Sequence, residues 1–126
     1  MYTINSFSQN DTIQKPKEIK QKKEVEYVSI INLIANPEKY YGKRVNVSGY
    51  LSTEFEGTAI YLSREDFENA IYRNAIALLL ANSNDYQLYH KEFVTLEGIF
   101  IKGNGHMGLF AGMIKDVEYM RKRNRL

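Results

Sequence analysis

Two short segments of the chain are written on one template. Arg44-Val45-Asn46-Val47-Ser48-Gly49-Tyr50-Leu51 and Phe93-Val94-Thr95-Leu96-Glu97-Gly98-Ile99-Phe100 share an apolar alternation, through Val45, Val47 and Leu51 and through Val94, Leu96 and Phe100, with glycine at the same point. A period of two predicts strands with one buried face. Glycine inside a strand weakens it, so its presence marks a bulge, a corner or a close approach of another backbone. Two strands bent at the same point imply a small, strongly curled sheet. The copies are too few and too far apart for a solenoid, so they read as equivalent strands of one closed barrel.

Between and after them lie further strand signals. Thr58-Ala59-Ile60-Tyr61-Leu62 follows a turn at Glu56-Gly57, the apolar run 75–80 is bounded by Asn74 and Asn82, and residues 108–119 form a long segment interrupted by Gly108 and Gly112. Asn104-Gly105 predicts a hairpin turn before that last strand. Helical pieces are short. Ser29 is placed to cap a helix carrying Ile30, Ile31, Leu33 and Ile34, which Asn36-Pro37 ends. Ser63 and Asp66 match a capping box that opens helical turns over 65–72, and 85–90 reads as a short helix or turn. The expected fold class is mainly β: a five-stranded OB-like Greek-key barrel with short helices and a disordered N-terminal arm.

A length of 126 residues suffices for one domain whose core needs neither metal nor disulfide. The chain has no cysteine, which removes disulfides, thiolate catalysis and cysteine-based zinc sites. Residues 1–26 are polar, without apolar period, and read as the arm; 27–120 read as the barrel domain; 121–126, with Arg121, Lys122, Arg123 and Arg125, read as a basic C-terminal tail. The formal net charge of +2 comes from the ends, because residues 27–120 hold eight basic against eleven acidic side chains. An acidic body is the opposite of an electrostatic footprint for nucleic acid. No run reaches the length of a membrane helix and the opening lacks the order of a signal peptide, so the expected chain is soluble, cytoplasmic as written, or periplasmic if a leader has been removed.

The segments Tyr41-Gly42-Lys43-Arg44-Val45-Asn46-Val47-Ser48-Gly49-Tyr50-Leu51, Phe55-Glu56-Gly57, Tyr61-Leu62-Ser63-Arg64-Glu65-Asp66-Phe67 and Gly105-His106-Met107-Gly108-Leu109-Phe110-Ala111-Gly112 together resemble a group of small bacterial proteins with OB-like barrels. The resemblance covers roughly residues 28–119. It implies a bacterial source and this fold, and it brings no assigned activity.

Candidate site residues are weighed against plainer roles. His106, among the four glycines of residues 103–112, falls in the loop through which OB barrels often touch ligands, yet no general acid or base motif surrounds it. Glu54, Glu56, Glu65, Asp66 and Glu68 cluster around the second barrel strand without the spacing of a calcium loop, so they read as a solvated acidic face suited to a basic protein partner. Ten tyrosines and six phenylalanines raise base stacking, with Tyr50 and Tyr61 as the platform candidates, against barrel-wall packing as the plainer role. No catalytic residue, metal ligand or cofactor is expected. The expected function is a non-enzymatic binding module for a protein partner, of which a toxin-neutralising immunity protein is one form. The alternative is a single-stranded nucleic-acid-binding OB protein that uses tyrosines and the basic ends.

Overall fold

The computed structural model describes residues 24–54, 57–81 and 83–123. Along the chain come β1 (Glu26–Tyr27), α1 (Ile30–Ala35), β2 (Arg44–Ser52), β3 (Ala59–Tyr61), α2 (Arg64–Glu68), β4 (Ala75–Leu78), β5 (Phe93–Ile101) and β6 (Gly112–Lys122), with short 3-10 turns at Pro37–Lys39, Tyr72–Asn74, Ser83–Tyr89 and His106–Gly108. The sheet runs β1-β2-β3-β4-β6-β5, and β2 also pairs with β5, which closes β2 to β6 into a five-stranded barrel with β1 as an extra strand. β4 and β6 are parallel, and the other barrel pairs are antiparallel. This is the OB-like Greek-key barrel expected from the sequence.

The repeated template explains the closure. β2 and β5 pair antiparallel with Val47 opposite Leu96, Val45 opposite Gly98 and Gly49 opposite Val94, so the two copies meet about a local pseudo-dyad and each glycine faces the other copy's valine. Each glycine then admits a third strand. A Cβ on Gly49 would lie 2.9 Å from Ile60 Cβ of β3, and one on Gly98 would lie 2.5 Å from Ile114 Cγ2 and 2.9 Å from the Lys115 carbonyl of β6. Opposite Gly98 the ladder slips between Glu97 and Ile99, and β6 accommodates its extra residues with Asp116 at φ +53°.

Val45, Val47, Leu51, Ile60, Ile76, Val94, Leu96, Phe100 and Ile114 fill the interior, and α1 adds Ile30 and Leu33. Ser29 caps α1 as expected, accepting a hydrogen bond from the Asn32 amide. A second cluster, Tyr50, Ala59, Tyr61, Ala75, Ala77 and Phe110, covers the outer face of β2, β3 and β4. Strands buried on both faces read as a continuous apolar run, which accounts for residues 75–78.

The differences from the sequence reading are local. The last strand begins at Gly112 rather than residue 108 and bends at Asp116 opposite Gly98, because Gly108 lies in the preceding loop. In place of a tight Asn-Gly hairpin, residues 102–111 form a longer excursion in which Gly105, and not Asn104, has positive φ. α2 stops at Glu68 because Ala70 turns to φ +55°. The arm reading lies outside the described residues up to position 23, and Glu26 at its end pairs with Val45. Of the basic run, Arg121 and Lys122 belong to β6, and positions 124–126 lie outside the described residues. No helix among the described residues is long and apolar enough to cross a membrane.

Candidate functional site

In an OB barrel the outer face of the second and third strands and the loops joining strands one to two and four to five form the usual ligand surface. Here those parts are β3, β4, the β2–β3 loop and the β5–β6 loop. The small side chains of Ala59, Ala75 and Ala77 leave space over β3 and β4, and aromatic rings from two connections occupy it.

The first connection is α2. Ser63 accepts from the Asp66 amide at 3.0 Å, and the Asp66 carboxylate accepts from Asn74 Nδ2 at 3.0 Å, tying the helix start to the Tyr72–Asn74 turn. Phe67 and Tyr72 are thereby presented to Tyr61. The Tyr61 and Phe67 rings meet edge-on at 5.5 Å, Phe67 continues to Tyr50 at 5.6 Å, and Tyr61 continues to Tyr72 at 6.4 Å.

The second connection is the β5–β6 loop. Asn104 clamps it from both sides, donating from Nδ2 to the Phe110 carbonyl at 2.8 Å and accepting from the Phe110 amide at 2.9 Å. Gly105, at φ +68°, passes so close to β4 that a Cβ would lie 2.8 Å from that of Ala77. Phe110 is seated by this clamp and meets Tyr72 edge-on at 5.5 Å. Met107 then adopts φ +56°, a conformation uncommon for a residue with a long side chain, and it is 78% exposed.

The two connections bound a cleft of about 460 Å³. Tyr61, Phe67, Tyr72 and Phe110 wall it, Met107 and Leu109 stand at its rim, and Glu54, Gly57 and His106 complete the lining. The Gly57 amide bonds the Glu54 carbonyl at 3.0 Å, and Thr53 at the loop base donates from its amide to His90 Nδ1 and from its hydroxyl to Gln87. Burial, with Tyr72 and Glu54 nearby, pushes the Tyr61 hydroxyl up to about 12, so it is a neutral phenol at any physiological pH. Beyond the wall made by Tyr72, Leu109 and Phe110 lies a second hollow of about 630 Å³, lined also by Ile34, Ile71 and Arg73.

Of the residues singled out from the sequence, the structure brings Glu54, Tyr61 and His106 together in the cleft. Tyr50 is one ring away, behind Phe67. Asp66 is committed to Asn74, and Glu65 lies exposed on α2, neither lining the cleft. Glu56 lies outside the described residues. Phe67, Met107, Leu109 and Phe110 were not singled out. The resemblance segments contain all four, but only the pairing of β4 with β6 shows that they share one surface. Comparison with family models, curated proteins and solved structures finds no match.

Proposed function

We propose that the chain is a non-enzymatic binding module whose protein partner docks over the cleft between the β2–β3 and β5–β6 loops. The exposed rim carries this reading. Met107 at 78%, Leu109 at 41% and Ile71 at 40% exposure stand beside aromatic walls that are themselves packed, and exposed apolar side chains around a hollow are what a partner surface covers. Met107 adds to it, since backbone strain at an exposed side chain of a site is the kind retained for function. Neutralisation of a toxin, as an immunity protein does, is one form such docking takes.

The nucleic-acid alternative draws less support. Tyr50 and Tyr61 are only 6% and 3% exposed, so neither ring offers a face to a base. No lysine or arginine is among the described residues lining the cleft. A photo-crosslinking residue placed at Met107, with one at the exposed Leu88 of the β4–β5 connection as control, tests the reading in cells of the source organism. A discrete protein adduct at position 107, absent at 88 and lost on adding Leu109→Asp, supports it. Salt-resistant binding of single-stranded oligonucleotides in an anisotropy titration, with no protein adduct, replaces it with the alternative.

A further inference from the structure

We propose that the cleft receives the guanidinium of an arginine carried by the partner; this deepens the docking reading above and rests on it. The chemistry of the walls and of the mouth selects this group. Of the four rings that line the cavity, Tyr61 and Phe110 are buried, while the half-buried Phe67 and Tyr72 keep aromatic surface open to it, and aromatic faces attract cations. Glu54 is the one carboxylate among the described lining residues. It lines the same cleft as the Tyr61 hydroxyl, which burial first, then Tyr72 and last Glu54 displace upward.

Arginine fits this pairing better than lysine does. Its plane stacks on a ring while its fork of donors meets a single carboxylate with two bonds, and it is more weakly hydrated than an ammonium. The hydroxyl oxygens of the lining tyrosines can accept remaining donors. One of these rings, Phe67, already has a cation of the chain beside it, since Lys91 Nζ stands 5.9 Å from its centre without lining the cleft. The neighbouring hollow, which carries Arg73, has the opposite character and is not part of this site.

The experiment is an NMR titration of the full chain, following the backbone amides of Gly57, Tyr72 and Leu109. The probes are three capped tripeptides, alanine-X-alanine, with X arginine, citrulline or norleucine. The arginine peptide should shift these amides saturably, citrulline should bind roughly three- to thirtyfold more weakly, and Glu54→Gln should reduce arginine binding by a similar factor. Glu54 is exposed, so the variant retains its fold, which the dispersion of the same spectrum checks. Lys91→Met should leave arginine binding within twofold. Equal binding of arginine and norleucine, unchanged by Glu54→Gln, overturns the arginine assignment and leaves a docking cleft with an apolar occupant. Absence of any shift with the arginine peptide also overturns it, while the Met107 crosslink independently decides whether a protein docks there. Shifts of these amides by an oligonucleotide, without a protein crosslink, overturn both.

Discussion

Gly98→Ala tests whether the repeated glycines close the barrel. The added Cβ would stand 2.5 Å from Ile114 Cγ2 and 2.9 Å from the Lys115 carbonyl. Carbon pairs rest near 3.5–4.0 Å, so the first contact is about 1 Å too close. Neither neighbour can turn away freely: Ile114 has 0% exposure within the barrel interior, and Lys115 offers backbone held in the β5–β6 ladder. Overpacking of this kind costs about 1–3 kcal/mol, against which the smaller unfolded-state entropy of alanine returns roughly 0.4–1 kcal/mol. Because both contacts are rigid, the net loss should be about 2 kcal/mol, or roughly 8–16 °C in melting temperature for a domain of this size. Gly57→Ala is the matched control, since among the described residues its Cβ would meet only Phe110 Cζ at an ordinary 3.7 Å, and its stability should stay level or rise by less than about 1 kcal/mol. Gly49→Ala, with contacts of 2.9 and 3.0 Å, should fall between them. Urea unfolding followed by far-ultraviolet circular dichroism measures all three. A Gly98→Ala chain as stable as the parent, or a Gly57→Ala chain equally damaged, refutes the close-approach account.

Tyr61 makes stability depend on alkaline pH. Its folded-state value near 12 exceeds the ordinary 10, so the unfolded chain loses this proton first, and the contribution of Tyr61, complete below pH 10, should be lost between pH 10 and 12 by about 2–3 kcal/mol. Tyr61→Phe should flatten that decline in denaturation curves taken across the window, and an unchanged slope would contradict it. Ser63→Ala removes the acceptor for the Asp66 amide and should cost about 0.5–2 kcal/mol in thermal unfolding. Asn104→Ala breaks one half of the clamp on Phe110 and should accelerate amide exchange in the β5–β6 loop while the β2–β5 ladder stays protected.

Where the sequence spoke locally, it was legible. Ser29 and Ser63 each sit directly before the helix that they cap, and the template around Gly49 and Gly98 shows both the bend and the pairing of equivalent strands. Less accessible were features that depend on chain segments meeting. β1 is only Glu26–Tyr27, and it becomes a strand because the first half of β2 leaves an edge beside β3 for Glu26 to pair with Val45. The β6 bend rests on Asp116 in a left-handed conformation that its residue type does not announce. The cleft is assembled from Glu54, α2 and the β5–β6 loop, so its aromatic walls read in sequence as ordinary core residues. Glu65 and Asp66 show the converse: within two residues of Phe67 in sequence, they lie outside the cleft lining because the helix turns them elsewhere.

The barrel core and the cleft proposed for docking occupy different layers of this molecule. The barrel interior is closed by Val45, Val47, Val94, Leu96 and Ile114, none more than 1% exposed, and no cleft residue belongs to that cluster. The cleft rests on the outer face of the same strands, where the alanines of β3 and β4 make room and Phe110 supplies the floor. At the rim, Met107 is 78% exposed and contributes little burial, and Leu109, 41% exposed, is partly buried. Because Leu109 is only partly buried, Leu109→Asp should cost no more than about 1.5 kcal/mol of unfolding stability and leave the chain folded, while abolishing the crosslink at position 107. A variant that lost both together would show that the rim is structural, and the docking reading would lose the exposed side chains on which it stands.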